Sequence, residues 1–199
     1  QAKLLTQING ADQEVKLAAI MLAGSVGAQE ARLIELAKDA SSATSVRVAA
    51  TDALANFKSA ESRDALVALS DAKSPVRSHA VLALARNHRD VSVPLIAAYA
   101  SEITEAEQGR AFWQQALSSK GISKQLAAVI GEKKFSPETA VATLQHIPDV
   151  AEHDALLKVL RDQAGSAQKT YDTAAIAKIA EQAAAKGDAA RGEMVYRRM

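Results

Sequence analysis

The side chains that most often carry chemistry are few in this sequence and are poorly spaced for it. Four histidines, His79, His88, His146 and His153, show no H-x-x-x-H or HExxH spacing, and no carboxylate completes a metal site beside them. We interpret them as surface or helix-end side chains. The chain contains no cysteine, which excludes thiolate ligands, disulfides and a cysteine nucleophile within these residues.

Serine, phosphate and acid–base chemistry also lack their usual patterns. There is no GxSxG elbow, and "AGSVGA" at 23–28 lacks the GK[ST] ending of a phosphate loop, so we expect a turn between helices. Glu102, Glu105 and Glu107 are expected at a solvated helix start, where negative charge is favourable. We therefore predict no catalytic residue and no enzymatic activity for this chain.

The only tryptophan, Trp113, follows Arg110 by three residues and leaves two interpretations open. An exposed aromatic residue beside an arginine would form an interaction surface, because such side chains carry much of the binding energy of interfaces. Alternatively, Trp113 is a bulky core residue in an irregular part of the chain. We favour the core position and keep the interaction surface as the alternative.

Composition limits the fold and the partners. Of the 199 residues, 48% are hydrophobic but only 4% are aromatic, and alanine is plentiful, which favours closely packed helices over sheets. No run of about 18 apolar residues is present, so we predict no membrane insertion. The formal net charge of +1 argues against nucleic-acid binding, which depends on many unneutralised cations.

A helical unit recurs about every thirty residues. The segments "EVKLAAIMLAG" from Glu14, "SVRVAATDALANF" from Ser45 and "PVRSHAVLALAR" from Pro75 each contain valine followed by a basic residue. Their apolar positions recur three and four residues apart, as on the buried face of a helix, and second amphipathic stretches lie between them. We predict five helical hairpins, of which the last two are degenerate.

Capping signals agree with that register. Ser74–Pro75 and Ser136–Pro137 each place a helix-capping serine before a proline at the first helical position. Pro148 is expected to end a helix near Ile147.

These repeats resemble the HEAT family, most clearly in "DAKSPVRSHAVLALA", over roughly residues 10–165. The resemblance implies an all-α fold, an α-α superhelix of the HEAT-like or ARM-type solenoid kind. In that family an aspartate and an arginine form a ladder between neighbouring repeats. The positions that match here are Asp71 with Arg77 and, more loosely, Asp39 with Arg47.

The end of the chain departs from the repeat. We predict a solenoid over residues 1–170, a terminal helix or linker over 171–187, and the first helix of a further domain over 188–199. In the last segment Gly192 and Tyr196 are four residues apart and so share one helical face. "GDAARGEMVYRRM" is similar to the N-terminal helix of class I cytochromes c, where this pair packs at a helix crossing and the haem-attaching CxxCH follows.

A HEAT-like region followed by a cytochrome c helix resembles the large haem-binding CxxCH proteins of the planctomycete–verrucomicrobial type. The resemblance implies a scaffold within an exported, dehydrogenase-like electron-transfer protein, in the periplasm or another extracytoplasmic compartment. Its partners would be a cytochrome c domain and a β-propeller of the same polypeptide. Haem c would belong to the parent protein, and no cofactor is expected in this chain.

Two other functions are compatible with helical repeats. The chain would serve equally as a free-standing HEAT adaptor that binds a protein partner in its groove. HEAT-like lyases and DNA glycosylases form an enzymatic class, but a glycosylase needs a strongly basic face with several aromatic residues, which this composition does not provide.

Overall fold

The computed structural model describes residues 2–71, 73–103 and 105–165, and every regular element in those ranges is helical. In chain order the α-helices of this part of the molecule are α1 (Ala2–Ile8), α2 (Gln13–Ser25), α3 (Glu30–Lys38), α4 (Thr44–Leu54), α5 (Ala60–Asp71), α6 (Arg77–Asn87), α7 (Arg89–Ala100), α8 (Ala106–Leu117), α9 (Ile122–Lys133), α10 (Pro137–Leu144) and α11 (Asp154–Ala164). A short 3₁₀ helix, Ala151–His153, precedes α11. The predicted all-α class is confirmed.

The helices pack in two rows, as a solenoid of hairpins requires. Helices α2, α4, α6 and α8 contact one another in succession and form the first row. In the second row α3 contacts α5, and α7, α9 and α11 contact one another in succession, while α6 packs against both α5 and α7. The most extensive contacts between consecutive helices join α3 to α4 and α5 to α6. Helices α4 and α6, which carry the repeated valine–arginine pair, therefore pack closely on the helix before them.

Local capping explains several helix starts. The Asp12 carboxylate accepts hydrogen bonds from the backbone N–H groups of Glu14 (3.0 Å) and Val15 (3.1 Å) and caps α2. Ser136 caps α10 by accepting from the Thr139 N–H at 3.2 Å, as its sequence signal predicts.

Two predicted helix boundaries differ from the structure. Helix α6 begins at Arg77 rather than at Pro75, because residues 75 and 76 form a turn, in which the Ser74 hydroxyl accepts from the Val76 N–H at 3.4 Å. Helix α10 ends at Leu144, before the expected boundary near Ile147, and a turn completes the approach to Pro148.

Two groups of buried side chains form the interior. The first, which we call the N-terminal core, runs from Ile8 to Leu84 and consists almost wholly of Ala, Leu, Ile and Val. The second, the C-terminal core, runs from Val81 to Ala164 and includes Phe112, Trp113 and Phe135. The two cores overlap at α6, which contributes residues to both.

Candidate interaction surface

Two depressions on the first row of helices share lining residues and together form a groove. One, of about 470 Å³, lies against α2 and α4, and the other, of about 360 Å³, lies against α4, α6 and α8. Asp52 and Arg86 line both. We call this continuous surface the row-one groove. Its other lining residues include Leu17, Met21, Val48, His79, Gln115 and Ser118.

The end of the groove on α2 is apolar and exposed. Met21 is 66% exposed and lines the groove together with Leu17 and Val48. On the adjacent face of the same helix Val15 and Leu22, seven residues apart, are also exposed. A cluster of exposed aliphatic side chains of this kind is uncommon on the surface of a soluble domain and is typical of interaction sites.

The middle of the groove contains a histidine–carboxylate hydrogen bond between two repeats. The Nδ1 atom of His79 on α6 lies 2.9 Å from the Asp52 carboxylate on α4. This hydrogen bond raises the pKa of His79 above its ordinary value, although partial burial opposes the shift. Sequence interpretation placed His79 on a polar face but missed its partner. The sequence signal that could have paired Asp52 with His79 is their separation of 27 residues, about one repeat.

Within the described ranges neither aspartate of the predicted ladder, Asp39 or Asp71, forms a direct salt bridge with an arginine, although the charge of Asp71 contributes to raising the pKa of Arg77. The Asp39 carboxylate accepts hydrogen bonds from the hydroxyls of Ser41 (2.7 Å) and Ser42 (2.8 Å) and from the Ser41 N–H (2.9 Å). These bonds lower the pKa of Asp39 to about 2. Asp39 instead stabilises its own loop, because its nearest donors are two and three residues away.

The two predicted arginines do connect neighbouring units, but through other acceptors. Arg47 donates from Nε to the Ala37 carbonyl (3.3 Å), near the end of α3, and from Nη2 to the Ser74 hydroxyl (3.1 Å) before α6. The guanidinium therefore binds a carbonyl at a helix C-terminus and a loop of the following unit. Cations are favoured there because the last carbonyls of a helix are unpaired.

Arg77 repeats that arrangement one unit later. Its Nε donates to the Ser70 carbonyl near the end of α5 at 2.9 Å. Its two terminal nitrogens both donate to the Glu102 carboxylate, with 2.9 Å between Nη2 and Oε1. The guanidinium also lies 5.3 Å from the centre of the Tyr99 ring. Hydrogen bonding to Glu102 raises the pKa of Arg77, and the same contact lowers that of Glu102. Glu102 is thus paired with a neighbouring unit, which the sequence did not predict.

Trp113 is not part of an exposed interaction surface. Its side chain is 1% exposed and packs in the C-terminal core beside Phe112, with ring centres 6.0 Å apart at an interplanar angle of 75°. The core interpretation is correct because the indole fills the space beneath α8. Arg110, three residues earlier, remains exposed and lines a separate cavity with two of the histidines.

One of the four histidines lies at a helix end but is not at the surface. His153 lies at the end of the 3₁₀ helix but is only 7% exposed, and its Nδ1 atom has no hydrogen-bond partner. His146 is half-buried and its Nδ1 is also unpartnered. In the part of the chain that the structure describes, no three His, Cys, Asp or Glu residues are grouped so as to hold a metal ion.

The remaining predicted positions lie outside the described residues. Gly192 and Tyr196, and the segments 171–187 and 188–199 that contain the linker and the further domain, belong to that part of the chain. The domain boundaries remain predictions.

The two-row packing and the groove define an α-solenoid. Comparison with known protein families identifies the kind of solenoid, because the family model for HEAT repeats matches residues 2–102. The chain belongs to the HEAT repeat family, and it is a helical-repeat scaffold of a class that commonly mediates protein–protein interaction. No curated protein and no solved structure matches it. None of the described helices is long and apolar enough to cross a membrane.

Proposed function

We propose that this chain is a non-catalytic scaffold and docking module of a larger, exported, dehydrogenase-like electron-transfer protein that binds haem. Two features support the proposal: a run of HEAT repeats, and the stretch "GDAARGEMVYRRM" at 187–199 with its similarity to the first helix of class I cytochromes c. The role is positional, because the scaffold would hold a cytochrome domain close to its electron donor.

The same proposal assigns the cofactor and the compartment. Haem c would be carried by the cytochrome c domain that adjoins this chain, with a β-propeller as the other domain of the polypeptide. Haem c is attached outside the cytoplasm, so the protein would act in the periplasm or an equivalent extracytoplasmic space.

Reading the coding sequence beyond Met199 tests this context directly. We expect a Cys-x-x-Cys-His motif within about ten residues, the characteristic attachment site for haem c. The absence of that motif would contradict the haem-protein context and leave the docking role of the repeats intact.

We assign docking to the row-one groove. The observation that carries this assignment is the exposed aliphatic cluster around Met21, next to a polar stretch that contains Asp52, His79 and Arg86. Methionine adapts its shape to different surfaces, and apolar anchors beside polar groups are typical of protein interfaces. The occupant we propose is the cytochrome domain of the same polypeptide.

A matched pair of variants tests that surface. Met21→Lys places a charge in the groove, whereas Val150→Lys places one at an exposed aliphatic residue outside it. We expect Met21→Lys to weaken association with the separately produced cytochrome domain at least about 10-fold, as loss of an interface anchor does. Val150→Lys should change it less than about 2-fold, and equal effects would contradict the assignment.

The groove also supports one alternative function, a free-standing HEAT adaptor for a separate protein. The adaptor function would be favoured if the coding sequence carried no haem motif and a partner retained by the wild-type chain were released by Met21→Lys but kept by Val150→Lys.

A further inference from the structure

A cavity in the C-terminal half of the solenoid has a lining unlike that of the groove. It encloses about 380 Å³ between α8 and the connection from α10 to α11. Its polar lining consists of Arg110, Gln114, Ser118, His146 and His153. Leu117 and Pro148 complete the wall, and only Ser118 is shared with the row-one groove.

The charges around this cavity are unbalanced. Arg110 has no carboxylate within ion-pair distance among residues 2–71, 73–103 and 105–165. Asp149, the nearest acidic residue in sequence to Pro148, is directed to Arg161 at 3.2 Å. No aspartate or glutamate lines the cavity. A permanent cation and two imidazoles therefore line this cavity without a carboxylate in its wall, and the nearest acidic lining is Glu105 in the neighbouring depression that His146 also borders.

Both imidazoles also carry unsatisfied polar atoms. The Nδ1 atoms of His146 and His153 are buried without a hydrogen-bond partner, and the whole His153 side chain is more than nine-tenths buried. Neither Nδ1 atom has surface that a solvent molecule can reach, so the nitrogen that each ring can present to the cavity is Nε2, which has no hydrogen-bond partner among the described residues. Burial and the neighbouring Arg110 both lower the pKa of His146, which shows that the cavity disfavours further positive charge.

The chain holds the His146 ring in place through Gly109. A Cβ atom at Gly109 would lie 2.6 Å from both Cδ2 and Nε2 of that ring, closer than such atoms can approach. The absence of a side chain at this point of α8 therefore seats the imidazole against the helix, at the edge of the cavity that Arg110 also lines.

We propose that this cavity binds an oxyanion, a carboxylate or a phosphate, with Arg110, His146 and His153 as its hydrogen-bond donors. A guanidinium presents paired N–H groups that match the two oxygens of such a group, and imidazole N–H groups add further donors. A metal ion fits poorly, because the two imidazoles lack a third ligand in the described ranges and stand beside a fixed cation. The proposal is independent of the haem-protein context.

Titration of the histidine side chains tests the site in the 199-residue chain. The probes are inorganic phosphate and succinate at pH 7, with sodium chloride holding the ionic strength constant. We expect saturable shifts of the His146 and His153 imidazole signals in the NMR spectrum, and a rise in the pKa of His146 when the anion is bound. The signals of His79 and His88 should stay unchanged.

The matched variants are Arg110→Gln at an exposed arginine in the cavity and Arg63→Gln at a partly exposed arginine on α5, outside the cavity. We expect Arg110→Gln to weaken anion binding at least about 10-fold, as removal of a charge-assisted bond does, and Arg63→Gln to change it less than about 2-fold. Shifts that rise linearly with anion concentration, or equal losses in both variants, would overturn the proposal. His146→Gln, which retains a donor but cannot titrate, should keep part of the affinity for succinate and reduce its pH dependence.

The same oxyanion chemistry is available from a free small anion or from an acidic side chain of a docked protein. A capped tri-glutamate peptide distinguishes the two sources. Binding of the peptide at least about 10-fold tighter than succinate, lost in Arg110→Gln, would assign the site to a protein partner. Equal or weaker peptide binding would assign it to a small anion. Failure of all three probes to bind would overturn the proposal.

Discussion

The two cores of this solenoid support the same helical packing with different side chains. The N-terminal core is aliphatic, and Phe57 is its only aromatic residue among those described. The C-terminal core contains Phe112, Trp113 and Phe135, and histidines lie at its edge. The HEAT family match ends at residue 102, close to where the aromatic side chains begin.

Glycine has a different role in each half. In the N-terminal half Gly24 lets α2 approach α4, since a Cβ there would lie 2.8 Å from the Cβ of Ala53 and 2.9 Å from its Cα. In the C-terminal half Gly109 accommodates the ring of His146 instead of a backbone. At Gly24 the missing side chain allows close contact between two helices, whereas at Gly109 it makes room for a large polar side chain.

The largest effect is expected from the C-terminal core. Trp113→Ala removes a fully buried indole and should cost about 3–5 kcal/mol of unfolding free energy, because the transfer term and the cavity term add. In solenoids each repeat contacts chiefly its neighbours, so the loss should be local. Hydrogen exchange should show reduced protection in α9 and α11, and little change in α2 and α4.

Leu54→Ala provides the converse change in the N-terminal core, where Leu54 is also fully buried. Its expected cost is about 2–5 kcal/mol, with protection lost mainly from α2, α4 and α6. If both variants reduced protection uniformly across the chain, the two cores would unfold as one cooperative unit and would not differ in local stability.

The second prediction concerns the close helix crossing. Gly24→Ala places a methyl group within 3.0 Å of Ala53 backbone atoms, and such overpacking should cost about 1–3 kcal/mol. Gly131 in α9 is the matched control, because the nearest atom to its added Cβ is Val159 Cγ1 at 3.9 Å. Gly131→Ala should be neutral or stabilising by up to about 1 kcal/mol, through helix propensity alone.

Urea denaturation measures both glycine variants. Equal stability of Gly24→Ala and the wild-type chain would show that α2 and α4 can separate without loss. The close approach would then be incidental to the packing of the regular repeats.

The fold was predictable because its signals are local and repeated. The apolar spacing around Val46 and Val76 marks one helical face in each unit, and the Ser136–Pro137 start is fixed by atoms three residues apart. At Ser74 the predicted start was two residues early: the hydroxyl accepts from the Val76 N–H at 3.4 Å and from Arg47 of another helix at 3.1 Å, and the regular helix begins only at Arg77.

The contacts of the site were mostly not predictable, because they join residues on different units. Arg77 was expected to join a ladder of aspartates and arginines between neighbouring repeats, but the carboxylate that it binds is that of Glu102, beyond the end of α7. The pair of Asp52 and His79 depends on how far α4 and α6 are offset, which no local pattern encodes. Likewise, the burial of His153 follows from the packing of the 3₁₀ helix against α9.

The smallest predicted effect compares one histidine from each half as pH changes. The folded-state pKa of His79 is raised by Asp52, so its contribution to stability is fully present below the unfolded-state pKa and is lost as pH rises through the folded-state value. Asp52→Asn should therefore destabilise the chain more at pH 5.5 than at pH 8.5. The difference should be about 0.5 kcal/mol or less, because the pair is partly exposed.

His146 should show the opposite sign. Burial and Arg110 lower its folded-state pKa, so the folded chain binds this proton less readily than the unfolded chain and loses stability as pH falls through the unfolded-state value. His146→Gln should relieve that loss at pH 5.5 and give no electrostatic gain at pH 8.5, where the imidazole is neutral in both the folded and the unfolded chain. NMR titration of the wild-type imidazoles gives the direct measurement, with His79 titrating above the ordinary histidine pKa and His146 below it. Coincident titration of the two rings would contradict the electrostatic difference between the halves, because it would mean that neither Asp52 nor Arg110 acts on its neighbouring imidazole.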